Sequence, residues 1–279
     1  MANSHYLICT DLDRTLLPNG AHPESAQGMA LFAKIAARED VDVAYVTGRH
    51  HALVLEAIAE FQIPIPDFVI GDVGSSLYEI RENNWQQLPA WKDEIAPCWA
   101  GVSHHELIIL FEDLKELRLQ PVDKQSDFKL SYFAPENCDR HALLNEMQKR
   151  LDGKQIKAHL NWSIDDLEHI GLLDILPINA TKLHAIEFLI SQKSYQKSRV
   201  VFSGDSGNDM PVLSSPINAT LVANARDDVR KEAIQQAKQQ GNEQQLYLAK
   251  GNIRDMNGNY SAGIVEGILH YLPTAHSWL

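Results

Sequence analysis

The stretch Tyr6–Thr15, YLICTDLDRT, joins a short apolar run directly to two aspartates. An apolar run of this length that ends in polar residues is typical of a buried strand in a parallel sheet. Asp11 and Asp13 stand two positions apart, so in an extended chain both carboxylates lie on one side and can reach one ligand. An Asp-rich turn or a helix cap would use the same residues, so the pair alone leaves both interpretations open.

Apolar runs and helical patterns alternate on the C-terminal side of this stretch. The predicted strands are Tyr6–Thr10, Val41–Val46, Phe68–Ile70, Ile170–Leu176, Arg199–Phe202, Thr220–Val222 and Leu246–Leu248. The predicted helices between them are Glu24–Ala37, His50–Phe61, Lys182–Ile190 and Asp227–Gln240. Strand–helix–strand alternation with short connections predicts an α/β fold with a Rossmann-like parallel-sheet core.

The pattern changes between residues 84 and 175, where four of the five tryptophans lie. Two segments of alternating polarity, Phe128–Phe133 and Lys157–Ile164, predict half-exposed strands. Leu107–Leu119 and Asp139–Leu151 predict helices between them. We therefore expect an inserted α+β domain over 84–175, between core segments 1–83 and 176–279.

Composition limits the classes of function that remain. The 279 residues carry a formal net charge of −12, and 44% of them are hydrophobic. An acidic globular chain disfavours binding to nucleic acid or to anionic membranes, both of which need basic surfaces. Three cysteines are too few for a disulfide framework, and the N-terminal residues lack the pattern of a signal peptide, so the sequence predicts a cytoplasmic protein.

Three further polar clusters each come near the end of a predicted strand or the start of a helix. Thr47-Gly48-Arg49 follows the second strand, Lys182 precedes an apolar helix, and Gly204–Asp209 follows the Arg199–Phe202 strand. Each has an ordinary structural interpretation, such as an N-cap for Thr47 or a surface position for Lys182. Ligands of open parallel sheets bind beyond the carboxyl ends of the strands, so we expect these clusters to converge.

The order of these motifs resembles the haloacid dehalogenase superfamily of phosphohydrolases, with the insert between the second and third motifs. Within it, the chain is most similar to the sucrose-phosphate phosphatases. The segments that carry this resemblance are Thr10–Leu16, Val46–Arg49, Leu173–Pro177 with Lys182, Gly204–Asp209, Val222–Ala225 and Ser261–Val265. Arg14 departs from the pattern, since Gly or Asn is common there among relatives.

The resemblance implies a mechanism and a role for each matching residue. Asp11 would be the nucleophile that forms an aspartyl-phosphate, and Asp13 the general acid and base. Mg²⁺ would be held by Asp11, Asp205, the backbone carbonyl of Asp13 and Asp209, the last directly or through water. The groups implied to bind the phosphoryl oxygens are Thr47, Gly48, Lys182 and Asn208.

The resemblance implies sucrose 6-phosphate as substrate and leaves two alternatives open. One is a phosphatase for another glycosyl phosphate, such as mannosylfructose phosphate or glucosylglycerol phosphate. The other is a non-catalytic sugar-phosphate-binding partner of a synthase, and association with a synthase is compatible with activity as well. Sugar contacts are expected from the insert, where the candidates are Trp85, Trp91, Trp99, Trp162, Tyr132 and Lys129, although most of the rings are expected to form its core.

Overall fold

The computed structural model describes residues 4–165 and 168–279, and the chain divides into two compact units. Residues 1–87 and 182–279 form the first, which we call the core unit. Residues 88–181 form the second, which we call the insert unit. The chain therefore leaves the core unit once and returns to it.

The elements follow one another along the chain with short connections. The strands are β1 (Tyr6–Thr10), β2 (Val41–Val46), β3 (Phe68–Gly71), β4 (Ser76–Arg81), β5 (Asn84–Gln87), β6 (Arg118–Leu119), β7 (Leu130–Pro135), β8 (Ala158–Asp165), β9 (Ile170–Pro177), β10 (Val200–Gly204), β11 (Asn218–Leu221) and β12 (Leu246–Leu248). The helices are α1 (Gly28–Ala36), α2 (His51–Phe61), α3 (Pro89–Ile95), α4 (His104–Phe111), α5 (Arg140–Gly153), α6 (Lys182–Gln192), α7 (Met210–Leu213), α8 (Asp227–Gln240) and α9 (Ser261–Tyr271).

The core unit is built on an eight-stranded sheet in the order β12-β11-β10-β1-β2-β3-β4-β5. The strands from β12 to β3 are parallel, and β4 and β5 add an antiparallel edge. The predicted α/β fold with a parallel-sheet core is confirmed. The nucleophile candidate Asp11 follows β1, a central strand with a partner strand on each side, which fixes its position.

Helices α1 and α9 cover one face of this sheet. Phe32 of α1 and Ile264 of α9 are fully buried in the same cluster as Ile8 of β1. The two helices approach closely at Gly28, where a Cβ atom would lie 2.9 Å from the backbone nitrogen of Ala262. Only glycine allows this approach without displacing backbone.

The insert unit has its own four-stranded antiparallel sheet in the order β6-β7-β9-β8. Trp99, Leu107 and Met147 form its core with buried residues of β7 and β9. Ser103 and Glu106 form a capping box that begins α4 at His104, upstream of the predicted start. The predicted helix Leu107–Leu119 is wrong beyond Phe111, because Arg118 and Leu119 instead pair with β7.

Two further expectations are corrected by strand pairing. Ile170–Leu176 is not a core strand, because β9 lies between β7 and β8 of the insert sheet. An apolar run identifies a buried strand but not the sheet that receives it. Conversely, Asn84–Gln87 pairs with β4 at the edge of the core sheet, and Trp85 packs against the core cluster beside the rings of His51 and Tyr78.

Within the described residues, we find no helix that has both the length and the apolarity needed to cross a membrane.

Candidate active site

The motif residues converge at the carboxyl ends of three neighbouring parallel strands. Asp11 follows β1, Thr47 follows β2, and Asp205 follows β10. The backbone N–H of Asp11 donates to the carbonyl of Ser203 at 2.9 Å, which holds β1 and β10 together at this end. Lys182, the first residue of α6, completes the group. The predicted convergence is therefore what the structure shows.

Lys182 joins two of the aspartates. Its Nζ lies 2.7 Å from Oδ1 of Asp11 and 2.7 Å from Oδ1 of Asp209, and the lysine is 2% exposed. Burial lowers the pKa of Lys182, but the charges of the two carboxylates outweigh burial and raise the pKa above its usual value. Lys182 is a buried, charged residue rather than a surface lysine.

The pKa of Asp11 lies well above the usual range of a carboxyl group. Burial raises its pKa to about 7, with Lys182 acting against the rise and Asp209 and Asp205 adding to it. Lys182 contacts Oδ1, whereas Oδ2 accepts from the Thr15 hydroxyl at the longer distance of 3.4 Å. Any further cation beside Asp11 would favour the ionised, nucleophilic form.

Asp209 organises the loop after β10. Its Oδ2 accepts from the backbone N–H groups of Asp205 at 3.1 Å and Ser206 at 3.2 Å. A Cβ atom on Gly204 would lie 2.5 Å from that same Oδ2, so the close approach requires glycine. Asp209 therefore fixes the position of Asp205 as well as that of Lys182.

The carboxylates of Asp11, Asp205 and Asp209 form a candidate cation site. One oxygen of each lies within 4.8 Å of the others, and all three residues are buried. Three clustered hard oxygen donors fit Mg²⁺, which binds through one or two carboxylates together with water and phosphate. Burial raises the pKa of Asp205, with Arg14 acting against the rise. The donor set fits the ion that the resemblance implies.

Asp13 has a different environment from the other three aspartates. Its carboxylate accepts from Nε of Arg49 at 2.9 Å and Nη2 of Arg49 at 2.6 Å, and from Nδ2 of Asn19 at 2.7 Å. Burial raises its pKa, but these bonds and the Arg49 charge outweigh burial and lower the pKa below the usual value. Asp13 is therefore ionised at neutral pH, the form that accepts a proton.

Thr47 and Gly48 are held by a strained turn after β3. Val73 adopts φ 60° and ψ 21°, an outlier for a β-branched residue, and its N–H donates to the carbonyl of Thr47 at 3.1 Å. The Thr47 hydroxyl oxygen accepts from the N–H of Arg49, so the hydroxyl proton is available to an anion. Thr47 does not cap α2, because that helix begins at His51. This turn was not predicted from the sequence.

Arg14 and Arg49 are site residues for which the sequence predicted no role. Arg14 Nη2 lies 2.9 Å from Oδ2 of Asp205, and Arg49 holds Asp13. Both pairs join residues that are far apart in the sequence, so the spacing of residues within a motif could not predict either ion pair.

A cleft of about 280 Å³ in the core unit opens onto these groups. Its lining residues are Asp11, Asp13, Arg14, Gly48, Arg49, Leu53, Asp205, Ser206 and Asn208. Asn208 accepts through Oδ1 from Lys182 at 3.3 Å and from Ser206 Oγ at 2.8 Å, so its amide N–H groups can donate into the cleft.

Most of the aromatic candidates are packed rather than exposed. Trp99 and Tyr132 lie in the core cluster of the insert unit, and Trp91 is buried in α3. Cζ of Arg140 lies over the ring of Trp162, 5.6 Å from the ring centre. Trp85 belongs to the core unit. Lys129 is 7% exposed, so it is not an ordinary surface lysine.

Comparison with known proteins places the chain in a family. The family model described as sucrose-6F-phosphate phosphohydrolase matches residues 4–272. The chain belongs to this family. A relative from Nitrosococcus oceani, described only as a putative HAD-like hydrolase, is 46% identical over 273 residues that span 98% of this chain and 73% of the relative.

The chain also has two more distant similarities. The X-ray structure of sucrose-phosphatase from Synechocystis sp. PCC6803 with sucrose and phosphate has a TM-score of 0.70 at 21% identity, covering 97% of this chain and 98% of that one, which shows a shared fold. A glucosylglycerol-phosphate synthase of Pseudomonas anguilliseptica is 29% identical over 217 residues, spanning 77% of this chain but only 26% of that protein. Family membership makes the chain a phosphatase of the haloacid dehalogenase superfamily, as the sequence predicted.

Proposed function

We propose that the chain is a Mg²⁺-dependent phosphatase that hydrolyses a sugar phosphate, with sucrose 6-phosphate as the first candidate, through an aspartyl-phosphate on Asp11. The observation that carries the proposal is the buried Lys182, which joins Asp11 to Asp209 at 2.7 Å each. This arrangement brings together a nucleophile, a cation site and a hydrogen-bond donor for the phosphate group. The chain also belongs to the sucrose-phosphatase family.

Asp11 attacks phosphorus in the first step. Lys182 holds Oδ1, so Oδ2 forms the new bond to phosphorus while the bond from phosphorus to the sugar oxygen breaks. Asp13 supplies the proton that the leaving sugar oxygen takes up. Because Arg49 keeps Asp13 ionised in the state described, this step requires Asp13 to be protonated when the substrate is bound.

Water releases the phosphate in the second step. Asp13 accepts a proton from the water, whose oxygen attacks the aspartyl-phosphate, and the bond between phosphorus and Asp11 Oδ2 breaks. The ionised form that Arg49 favours is the one this step needs. Thr47, Gly48, Lys182 and Asn208 hold the phosphoryl oxygens throughout and stabilise the charge that develops on them.

Asp11, Asp205 and the carbonyl of Asp13 would hold Mg²⁺, which when bound offsets the repulsion between a carboxylate and a phosphate dianion. In Asp209, Oδ1 accepts from Lys182 and Oδ2 accepts from two backbone N–H groups. These bonds favour a contact through water over direct coordination by Asp209.

A second substrate has its own support. This chain resembles a part, 26%, of a glucosylglycerol-phosphate synthase. The name of that enzyme makes glucosylglycerol phosphate the second candidate substrate. The same similarity is compatible with association between this chain and a separate sugar-phosphate synthase. That association, and the cytoplasmic location, remain predictions.

A panel of sugar phosphates tests the proposal. We expect release of inorganic phosphate from sucrose 6-phosphate or glucosylglycerol phosphate in the presence of Mg²⁺, and its loss after chelation with EDTA. Binding of these compounds without phosphate release, with Mg²⁺ present, would instead favour a non-catalytic binding protein.

Asp11→Asn tests the nucleophile. We expect turnover to fall by about 10³-fold or more, because an amide cannot form the phosphoenzyme, while the fold stays intact. Phosphate release is the measurement, with mass spectrometry to exclude deamidation back to aspartate. Substantial activity of the Asp11→Asn variant, with its amide shown to be intact, would refute the assignment.

A further inference from the structure

Arg14 is paired with a carboxylate of the candidate cation site. Its Nη2 lies 2.9 Å from Oδ2 of Asp205, whose side chain is 3% exposed, whereas the Arg14 side chain is 46% exposed. Lys182 is paired with the other two carboxylates of the set, Asp11 and Asp209. The buried carboxylate of Asp205 is therefore covered by a guanidinium that water can reach.

The backbone of Arg14 is held by hydrogen bonds, and nearly half of its side chain is exposed. Arg14 has φ 57°, a left-handed conformation that non-glycine residues rarely adopt. Its N–H donates to Oδ1 of Asn19 at 2.8 Å, and its carbonyl accepts from Nδ2 of Asn224 at 2.6 Å. Asn224 in turn accepts from the N–H of Tyr260. Two asparagines thus hold a strained residue at the edge of the cleft, where an exposed arginine side chain can change partners.

The charges around Asp205 determine whether Arg14 and a divalent cation can bind there together. When all three are ionised, the clustered carboxylates face one ammonium and one guanidinium, which leaves a single unbalanced negative charge. A divalent cation that took the place of the guanidinium would remove that imbalance without placing two cations on Asp205. A divalent cation added beside the guanidinium would make two cations share Asp205, which Coulomb repulsion disfavours.

We propose that Arg14 is an internal counter-ion of the metal site: it occupies Asp205 until a divalent cation binds, and then turns into the cleft to take an oxygen of the phosphoryl group. This inference rests on the metal site of the proposed function. In this scheme Arg14 first sets how readily Asp205 is available to the cation and then contacts the phosphoryl group itself. Its backbone stays in place, and its guanidinium exchanges one anionic oxygen for another.

The exchange couples the two ligands. Mg²⁺ must displace Arg14, so the free protein binds Mg²⁺ more weakly than its carboxylates alone would allow. A phosphate that accepts the released guanidinium recovers part of that free energy, so phosphate tightens Mg²⁺ binding and Mg²⁺ tightens phosphate binding by the same factor.

Titration of Mg²⁺ into the full chain by calorimetry, without substrate, tests the first part. We expect Arg14→Asn and Arg14→Gly, which both suit a left-handed φ, to bind Mg²⁺ about three- to tenfold more tightly than the parent, the size of a half-exposed ion pair. Arg49→Asn is the matched control, since it removes an arginine from the same cleft that pairs with Asp13. It should change the Mg²⁺ dissociation constant by less than about twofold.

Inorganic phosphate supplies a second readout. At saturating phosphate, the dissociation constant of Mg²⁺ should fall by a larger factor in the parent than in Arg14→Asn. Equal or weaker Mg²⁺ binding by Arg14→Asn, or an equal gain in Arg49→Asn, overturns the role of Arg14 even if the parent hydrolyses sugar phosphates. If neither parent nor variants bind a divalent cation, the metal site itself fails, and the proposed function with it.

Discussion

At the scale of single residues, the site depends on one lysine surrounded by acids. Lys182 is charged although it is 2% exposed, because Asp11 and Asp209 each contact its Nζ at 2.7 Å. Removing one member of such a buried set leaves the others unpaired in a medium of low polarity. The residue that binds phosphate in the proposed mechanism is therefore also one that holds the loops together.

Lys182→Met should lower both stability and turnover. We expect the free energy of unfolding to fall by about 3 kcal/mol, because two buried carboxylates lose their shared cation. Lys193→Met is the control: Lys193 also lies 2.7 Å from a carboxylate, that of Glu79, but its side chain is 27% exposed. Its loss should cost about 1 kcal/mol or less. Urea unfolding measures both, and equal effects would contradict the special role of the buried pair.

At the scale of elements, close packing of helices fixes the sheet that carries the site. Helices α1 and α9 meet at Gly28, and both cover the face of the sheet to which Ile8 belongs. The next residues of β1 lead directly to Asp11. Disturbing the contact between these helices should therefore lower the free energy of unfolding of the chain.

Gly28→Ala should destabilise the chain by about 1–3 kcal/mol, because the new methyl would lie 2.9 Å from the Ala262 nitrogen and 2.7 Å from Ser261 Oγ. Gly153→Ala, at the end of α5, is the matched substitution. No described atom of a neighbouring segment lies within 4 Å of its added carbon, so we expect a gain of about 0.5–1 kcal/mol. Thermal or urea unfolding of both variants gives the comparison, and a neutral Gly28→Ala would show that α1 and α9 can separate without cost.

At the scale of the whole molecule, the chain is two units with separate cores. The insert unit packs Trp99, Leu107 and Met147 within its own sheet and helices. A stretch of this length, residues 88–181, is within the size range of independently folding domains.

A fragment of residues 88–181 should therefore fold alone. We expect one cooperative thermal transition and near-ultraviolet circular dichroism from the buried Trp91 and Trp99. A fragment of residues 84–175 is the control: it cuts β9, an interior strand, before Leu176 and Pro177, which pair with His159 and Ala158. It should be less stable, and equal stability of the two fragments would contradict the observed boundary.

Sequence patterns predicted the elements well where local signals decide them. Tyr6–Thr10, Val41–Val46, Asp227–Gln240 and Leu246–Leu248 have the predicted bounds. The patterns failed where strand pairing decides which sheet receives a strand: β9 is apolar enough for either sheet, and β5 joins the core sheet by pairing with its neighbour β4.

The site shows the same division. The motif order located the aspartates, Thr47 and Lys182, because each stands near the end of a strand or the start of a helix. The pairs Arg14–Asp205 and Arg49–Asp13 were not predicted, since they connect residues from distant parts of the chain through side chains alone. The turn at Val73 was not predicted either, because a valine carries no signal for a left-handed backbone.

The pairing of β1 with β10 sets an order of assembly. Thr10 aligns with Ser203, so during synthesis one edge of β1 has no partner until the ribosome has made the residues of β10. Contacts this distant in sequence form slowly, and an unpaired strand edge is prone to wrong pairing. Asp11 leaves the ribosome long before Lys182 and Asp205, which reach it late. A nascent chain that ends before Asp209 therefore lacks part of the proposed site and cannot cleave a phosphate ester by the proposed mechanism.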